Sequence, residues 1–327
     1  MKIAIVNSNS FGRYFPEQIE ALKQLGEVKR FFFPQDISGK ELAQTLQEYE
    51  YIIASVTPNF DQDFFDQSLQ LKMITRHGLG YNNVDVESAT KHGVYVSKVA
   101  PKVERNAVAE QSVALMMASA RYTVEADQAL RTQDWTARAN YVGMELSGKT
   151  FGIIGLGNIG SRVAEILKNG FNGTVLAYDP YIEAARFEKY QVKKATLEEL
   201  LRESDFISIN ASLTDTSEGL IAKEQFGWMK KEAIIVDTAR GAIFDKEALI
   251  QALKEKEIRA YGADVFHEEP IDKEDPLLAL PNVIVTPHIG AYTRESLKEM
   301  GDKMVQDVKD VAAGRRPKEC INQKELV

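Results

Sequence analysis

Thr150-Phe151-Gly152-Ile153-Ile154-Gly155-Leu156-Gly157-Asn158-Ile159-Gly160 decides how the rest of this 327-residue chain is read. Phe151–Ile154 has the composition of a buried strand, and a G-x-G-x-x-G hexapeptide follows at once. Beyond it, Val163, Ile166 and Leu167 are spaced for one face of a helix. Thr174–Tyr178 then supplies the next strand and ends in Asp179, about 20 residues after the last glycine. The hexapeptide alone is a weak signal, but strand, glycine loop, helix, strand and acidic residue together form a dinucleotide-binding fingerprint. Gly155 permits the tight turn, Gly157 lets a pyrophosphate approach the backbone, and Gly160 lets helix and strand close up. Asn158 and Ile159 open the helix, whose free N–H groups and dipole favour an anion. Asp179 can accept hydrogen bonds from both ribose hydroxyls, and its charge repels a 2′-phosphate. Pro180 and Tyr181 follow it, with no arginine beside it, so the expected cofactor is NAD and not NADP.

The same alternation runs outward in both directions. Strands are expected at Lys2–Val6, Val28–Phe33, Tyr51–Ala54, Lys72–Thr75 and Val94–Val96, with helices about Pro16–Leu25 and Gln62–Gln70. A second series adds strands at Phe206–Ile209, Ile234–Val236, Ala260–Gly262 and Val283–Val285, with a Thr196/Glu199 capping box before one helix. Strand–helix alternation implies parallel sheets covered on both faces, so the expected class is α/β. Arg105–Ala120 is a strong helix pattern without Gly or Pro, and a last long helix is expected from Thr293 to about Ala313. Between about Arg121 and Asn140 the alternation breaks. That arm carries Trp135 and reads either as a surface helix and loop or, because an aromatic on a protruding arm needs a surface to cover it, as a homodimer contact.

Length and composition bound the rest. A chain this long suggests two domains, and 44% hydrophobic with 27% charged residues is ordinary for a globular protein. A net charge of −8 disfavours nucleic acid or an anionic membrane as the main partner. One cysteine, Cys320, rules out an internal disulfide. Met1–Val6 is too short an apolar run for a secretory signal, and no run approaches a membrane span, so a cytoplasmic location is expected.

Hydride chemistry on a 2-keto acid needs a cation for the substrate carboxylate, an acid–base group at the carbonyl oxygen, and a group that tunes it. Imidazole suits the second role. The chain has four histidines, His77, His92, His267 and His288, and spacing alone does not choose among them. His92, in Lys91-His92-Gly93, reads as a helix C-cap. His288 lies just past the strand Val283–Val285, Arg240 just past Ile234–Val236, and Glu269 past Ala260–Asp264. Functional groups in open α/β sheets collect beyond the carboxyl ends of strands, so these three could converge.

Several segments, in order and over almost the whole chain, resemble the D-isomer-specific 2-hydroxyacid dehydrogenase family. They are Arg76–Asp85, Asn106–Glu110, Gly155–Gly160, Val236–Gly241, Gly262–Pro270 and Pro287–Gly290. The resemblance implies a catalytic set of Arg240, His288 and Glu269. Arg240 would bind the substrate carboxylate and carbonyl oxygen, and His288 would be the acid–base residue. Glu269 would pair with His288 and favour its imidazolium form. Asp264 would contact the nicotinamide carboxamide, with Val108, Thr238 and Ala239 also near the cofactor. Backbone N–H groups near Leu79 and Gly80 would help hold the substrate, and no metal is called for. The layout implied is a Rossmann NAD domain, residues 101–289, inserted into a flavodoxin-like substrate domain made of residues 1–100 and 290–327. The active site would lie in a cleft whose closure excludes water.

Two departures from the family pattern stand out. The family usually has His-x-Pro after the strand matching Phe206–Ile209, beside the cofactor; this chain has Asn210-Ala211-Ser212. Tyr292 stands where many members have a small residue. The same fold and triad also occur in the C-terminal-binding corepressors, so an NAD(H)-sensing binding protein is the alternative from another class. Turnover with a 2-keto acid separates the two.

Overall fold

The computed structural model describes residues 1–132 and 135–322. Residues 133–134 of the expected arm and 323–327 at the chain end lie outside the described residues. The chain divides into two units: residues 1–104 with 291 onward, and residues 105–290.

The first unit begins with β1 (Lys2–Val6), α1 (Pro16–Lys23), β2 (Glu27–Phe31), α2 (Gly39–Leu46), β3 (Tyr51–Ala54), α3 (Gln62–Phe65), β4 (Met73–Arg76), α4 (Val86–Lys91) and β5 (Tyr95–Ser97). The strands are parallel, in the order β2-β1-β3-β4-β5, the flavodoxin-like arrangement. Alternate residues of β1 feed opposite faces: Ala4 and Val6 join Phe60, Phe64 and Phe65 on one side, and Ile3 and Ile5 join Leu22, Met300 and Met304 on the other.

The second unit holds α5 (Arg105–Arg121), α6 (Thr123–Arg131), β6 (Thr150–Ile154), α7 (Asn158–Phe171), β7 (Thr174–Tyr178), α8 (Ala184–Tyr190), β8 (Lys193–Lys194) and α9 (Leu197–Glu203). It continues with β9 (Phe206–Ile209), α10 (Lys223–Trp228), β10 (Ile234–Asp237), α11 (Lys246–Lys254), β11 (Ala260–Ala263) and β12 (Val283–Val285). Its seven strands run parallel in the order β12-β11-β10-β9-β6-β7-β8. The direction of winding reverses between β6 and β9, which makes their carboxyl ends the switch point where such sheets hold ligands.

The chain then returns to the first unit as α12 (Arg294–Ala312), N-capped by the Thr293 hydroxyl. Its buried Leu297, Met300, Met304 and Val308 fall at helical spacing, each worth about 1.5–3 kcal/mol when fully buried. Asp307 on the same helix is buried and accepts from Thr75 Oγ1 at 3.0 Å and Ser97 Oγ at 2.6 Å, with Lys303 as its ion-pair partner.

The divisions fall a few residues from the expected 100/101 and 289/290, and local bonding says why. Glu104 belongs with the first unit because its carboxylate accepts from Leu79 N at 2.8 Å. Gly290 belongs with the second because its N–H donates to Asp264 at 2.7 Å.

Candidate active site

The glycine loop is shaped by contacts a side chain would destroy. Gly155 has φ +89°, and a Cβ there would sit 2.6 Å from Ala211 N. A Cβ on Gly160 would come within 2.0 Å of Gly155 O. At Gly157, by contrast, a Cβ would meet nothing within 4 Å, so the space before the first turn of α7 is open. That turn leaves backbone N–H groups without intrahelical partners. Beside it lies a cavity of about 440 Å³, lined among others by Gly155, Gly157, Asp179, Asn210 and Ser212. Asp179 faces it with an oriented carboxylate: Oδ2 accepts from Leu156 N at 2.9 Å and Oδ1 from Tyr181 N at 3.0 Å. Each oxygen keeps lone-pair capacity for a hydroxyl. An open anion cradle beside a fixed carboxylate acceptor fits the pyrophosphate and ribose of NAD.

Further along the same sheet edge, the turn after β12 presents His288. Its Nδ1 lies 2.6 Å from Glu269 Oε2, and its side chain retains 33% of its accessible surface. The second Glu269 oxygen accepts from Phe266 N at 3.0 Å. Burial pushes the Glu269 carboxyl up, but the hydrogen bond and charge of His288, the Phe266 N–H and the Arg240 charge outweigh it. The net result holds Glu269 below its usual value. An ionised Glu269 accepts the Nδ1 proton, which leaves Nε2 of His288 as the nitrogen available for chemistry. Arg240 is half-buried, donates to Ala239 O at 2.5 Å, and forms no ion pair among the described residues.

The His288 turn has an anchor. His288 itself has φ +51°, a left-handed conformation unusual for a residue with a Cβ. Asp264, buried at the end of β11, holds the turn with both oxygens. Oδ1 accepts from Thr286 Oγ1 at 2.5 Å and Ile289 N at 2.9 Å, and Oδ2 from Gly290 N at 2.7 Å. A Cβ on Gly290 would lie 2.9 Å from that same Oδ2, so glycine lets the carboxylate close in. Gln111 Nε2 donates to Thr286 Oγ1 at 3.0 Å and ties the turn to α5. The resemblance assigns Asp264 to the carboxamide; in the structure its carboxylate braces the turn that carries His288.

Val108 is buried on α5, its methyls 3.6–3.7 Å from where a Gly290 Cβ would be. Thr238 Oγ1 lies 2.7 Å from Ser112 Oγ, and Ala239 N donates to Asp237 at 2.8 Å. Leu79 and Gly80 follow β4 in the first unit, and the Leu79 N–H is engaged by Glu104. His267 is exposed with Nε2 2.8 Å from Phe244 O, and His92 is the C-cap residue of α4.

Asp237 lies next to the site and is not among the residues expected there. It ends β10, fully buried, and accepts from Ala239 N at 2.8 Å and Tyr261 Oη at 3.3 Å. Burial pushes its carboxyl up to about 7, against the pull of Ala239 N–H, the Tyr261 hydroxyl and Arg240. A polar residue at a strand end reads as exposed; only the packing of Tyr261 over it reveals otherwise.

A family model described as D-isomer specific 2-hydroxyacid dehydrogenase, NAD binding domain, matches residues 113–290. A D-3-phosphoglycerate dehydrogenase of Methanocaldococcus jannaschii is 38% identical over 308 residues, covering 94% of this chain and 58% of that protein. The chain thus spans little more than half the length of that relative. A glyoxylate reductase of Aeropyrum pernix is 37% identical, with 94% of this chain and 93% of that one covered. The structure of D-lactate dehydrogenase from Escherichia coli superposes with a TM-score of 0.85 at 30% identity, covering 98% of this chain and 100% of that chain.

Proposed function

The chain belongs to the D-isomer specific 2-hydroxyacid dehydrogenase family, and on that premise we propose that it moves a hydride between NAD(H) and a small 2-keto or D-2-hydroxy acid. The observation that carries the reading is the 2.6 Å His288–Glu269 contact, on the sheet edge that also bears the glycine loop. NADH, when bound, supplies the hydride. Arg240 grips the substrate carboxylate with its planar guanidinium, a geometry that a lysine lacks. His288 Nε2 donates a proton to the carbonyl oxygen as negative charge grows there, and takes it back in the oxidative direction. Glu269 holds the ring by Nδ1 and stabilises the imidazolium. The Gly80 backbone N–H is proposed to add to the carboxylate's hold; that of its neighbour Leu79 is already given to Glu104.

In this reading, residues 105–290 form the NAD unit and the remainder the substrate unit. Asp179 selects NAD over NADP. The arm's exposed Leu130 and Trp135, with exposed Val142 just past its end, suit burial against a second copy of the chain. No helix among the described residues is long and apolar enough to cross a membrane. The chemistry and the single cysteine suit a reducing compartment such as the cytoplasm.

The test is oxidation of NADH, and in parallel NADPH, against pyruvate, branched 2-keto acids, glyoxylate, hydroxypyruvate and phosphohydroxypyruvate. Turnover with at least one acid, faster with NADH, is expected. Tight NADH binding with no turnover on any of them would replace the enzyme by a sensor.

A further inference from the structure

Three turns carry groups proposed to touch the substrate, and each is tied down by a buried carboxyl group. Asp264 accepts from Ile289 N at 2.9 Å and Gly290 N at 2.7 Å, beside His288. Asp237 accepts from Ala239 N at 2.8 Å, beside Arg240. In the first unit Glu104 is 7% exposed and accepts from Leu79 N at 2.8 Å, beside Gly80. Each time, an N–H of the residue next in the chain to the proposed contact is held.

Glu104 is itself well placed for this. It ends the first unit, just before α5. Val99 N donates to Gly78 O at 3.4 Å and Val103 N to Ala100 O at 3.0 Å, so the 99–104 segment runs close beside the 78–80 loop. Val103 and Leu79 pack against the same hydrophobic core. Arg76, fully buried at the end of β4, donates Nη1 to Ala54 O at 2.5 Å. A Cβ on Gly78 would lie 3.6 Å from Glu104 Oε1 and 4.0 Å from Arg76 Nη2, so acid and guanidinium both lie against the loop.

A carboxyl group that takes the Leu79 N–H fixes the plane of the 78–79 peptide, and the packed Leu79 side chain limits the next rotation. The N–H that follows belongs to Gly80, which is half-buried, and it has no hydrogen-bond partner among the described residues. We propose that Glu104 is a positioning residue for substrate binding: it accepts from Leu79 N and so holds the 78–80 loop with the Gly80 N–H turned to the substrate carboxylate. This rests on the dehydrogenase reading above. Glu104 does not touch the substrate. The carboxylate is held alike before and during hydride transfer, so losing the brace weakens binding more than turnover.

The experiment combines steady-state kinetics on a keto acid that wild type reduces with hydrogen exchange at the Leu79 amide, in wild type, Glu104→Gln, Glu104→Met and Glu104→Ala. Thermal unfolding confirms that each variant folds. The alanine variant leaves room for water beside Arg76, so it carries the test if the methionine variant does not fold. In both, KM for the keto acid should rise about tenfold, with kcat within about threefold and the NADH dissociation constant within about twofold of wild type. Exchange at Leu79 should quicken about tenfold. Glu104→Gln keeps an acceptor oxygen and should bring both readings back to within about threefold. A KM within about twofold of wild type in the methionine and alanine variants overturns the proposal. So does a glutamine variant as impaired as the other two, because the charge beside Arg76 would then matter and not the hydrogen bond. If wild type reduces no keto acid, the dehydrogenase reading falls and the substrate role of Glu104 with it. Unchanged exchange at Leu79 in the variants sinks the brace by itself, whatever the enzyme reduces.

Discussion

His77 and His288 occupy equivalent places in two different sheets. Each follows the carboxyl end of a parallel strand, β4 or β12, and each has its Nδ1 within hydrogen-bond distance of a side-chain oxygen. Their surroundings could hardly differ more. His77 Nδ1 meets the neutral Ser8 hydroxyl at 3.0 Å, its Nε2 is buried without a hydrogen-bond partner among the described residues, and Phe11 packs edge-on against the ring. Burial, with the charges of Arg76 and Arg30, lowers its pKa to about 3. His288 instead meets a carboxylate at Nδ1 and leaves part of its ring accessible. A strand end delivers a histidine to a functional edge; what touches Nδ1, and whether Nε2 is reachable, decides whether it can move protons.

Removing each ring is the most severe test of that contrast. His288→Ala should lower kcat/KM for keto-acid reduction by roughly a thousandfold while NADH affinity stays within about twofold. His77→Gln should keep the wild-type pH–rate profile. Steady-state kinetics on both variants decide it, and a crippled His77 variant beside an active His288 one reverses the assignment.

The brace beneath His288 offers a finer cut. Asp264→Asn puts an NH₂ where one of the carboxylate's oxygens accepts from the 286–290 turn, so one of those bonds is lost. The expected result is a fall in kcat of about tenfold or more at unchanged NADH affinity. A rise in the NADH dissociation constant larger than the fall in kcat would make Asp264 a cofactor contact instead.

Glu269→Gln sharpens the contrast by making the partner of His288 neutral, like that of His77. Glu269 is held below its usual value and so is ionised across the working range. Its charge favours the protonated ring that reduction requires. Without it, the alkaline limb of reduction and the acid limb of oxidation should both move to lower pH. Limbs that move upward in pH–rate profiles would show that the carboxylate acts otherwise.

The smallest effect is on stability and belongs to Asp237. Its folded pKa is about 7, against an ordinary 3.8. The folded state therefore binds the proton more tightly. The contribution is present at low pH and is lost as pH rises from about 4 through 7. Asp237→Asn removes that titration, so its melting temperature relative to wild type should rise by a few degrees from pH 5 to pH 8. A difference that does not depend on pH would mean that Asp237 is ionised at no penalty.

The fold was legible where local pattern and tertiary role agree. From β6 through the glycine loop to Asp179, each residue type suits its element, and the capping box at Thr196 and Glu199 marks a helix that is there. β8 is illegible in the sequence because it is two exposed lysines at a sheet edge, with no apolar signature. The helix at Gly39–Leu46 is not among the expected elements, although Ser38 and Glu41 form a capping box that signals it. The site was legible as residue types beyond strand ends. Choosing His288 over His77 needed the family resemblance, because what surrounds Nδ1 is set by residues distant in sequence. The brace of Asp264, the left-handed backbone of His288 and the burial of Asp237 have no local signature at all.

The helix Thr123–Arg131 has nine residues and buries none of them. A helix of that length gains little from its own hydrogen bonds in water, so an uncovered copy should open and close readily. Its amide protons should exchange with solvent far faster than those of α5, and a protease should nick the chain there first. Both vulnerabilities become gauges of association. If a second copy covers this segment, exchange and cleavage should slow as the protein is concentrated, and rates that ignore concentration would leave the helix standing alone.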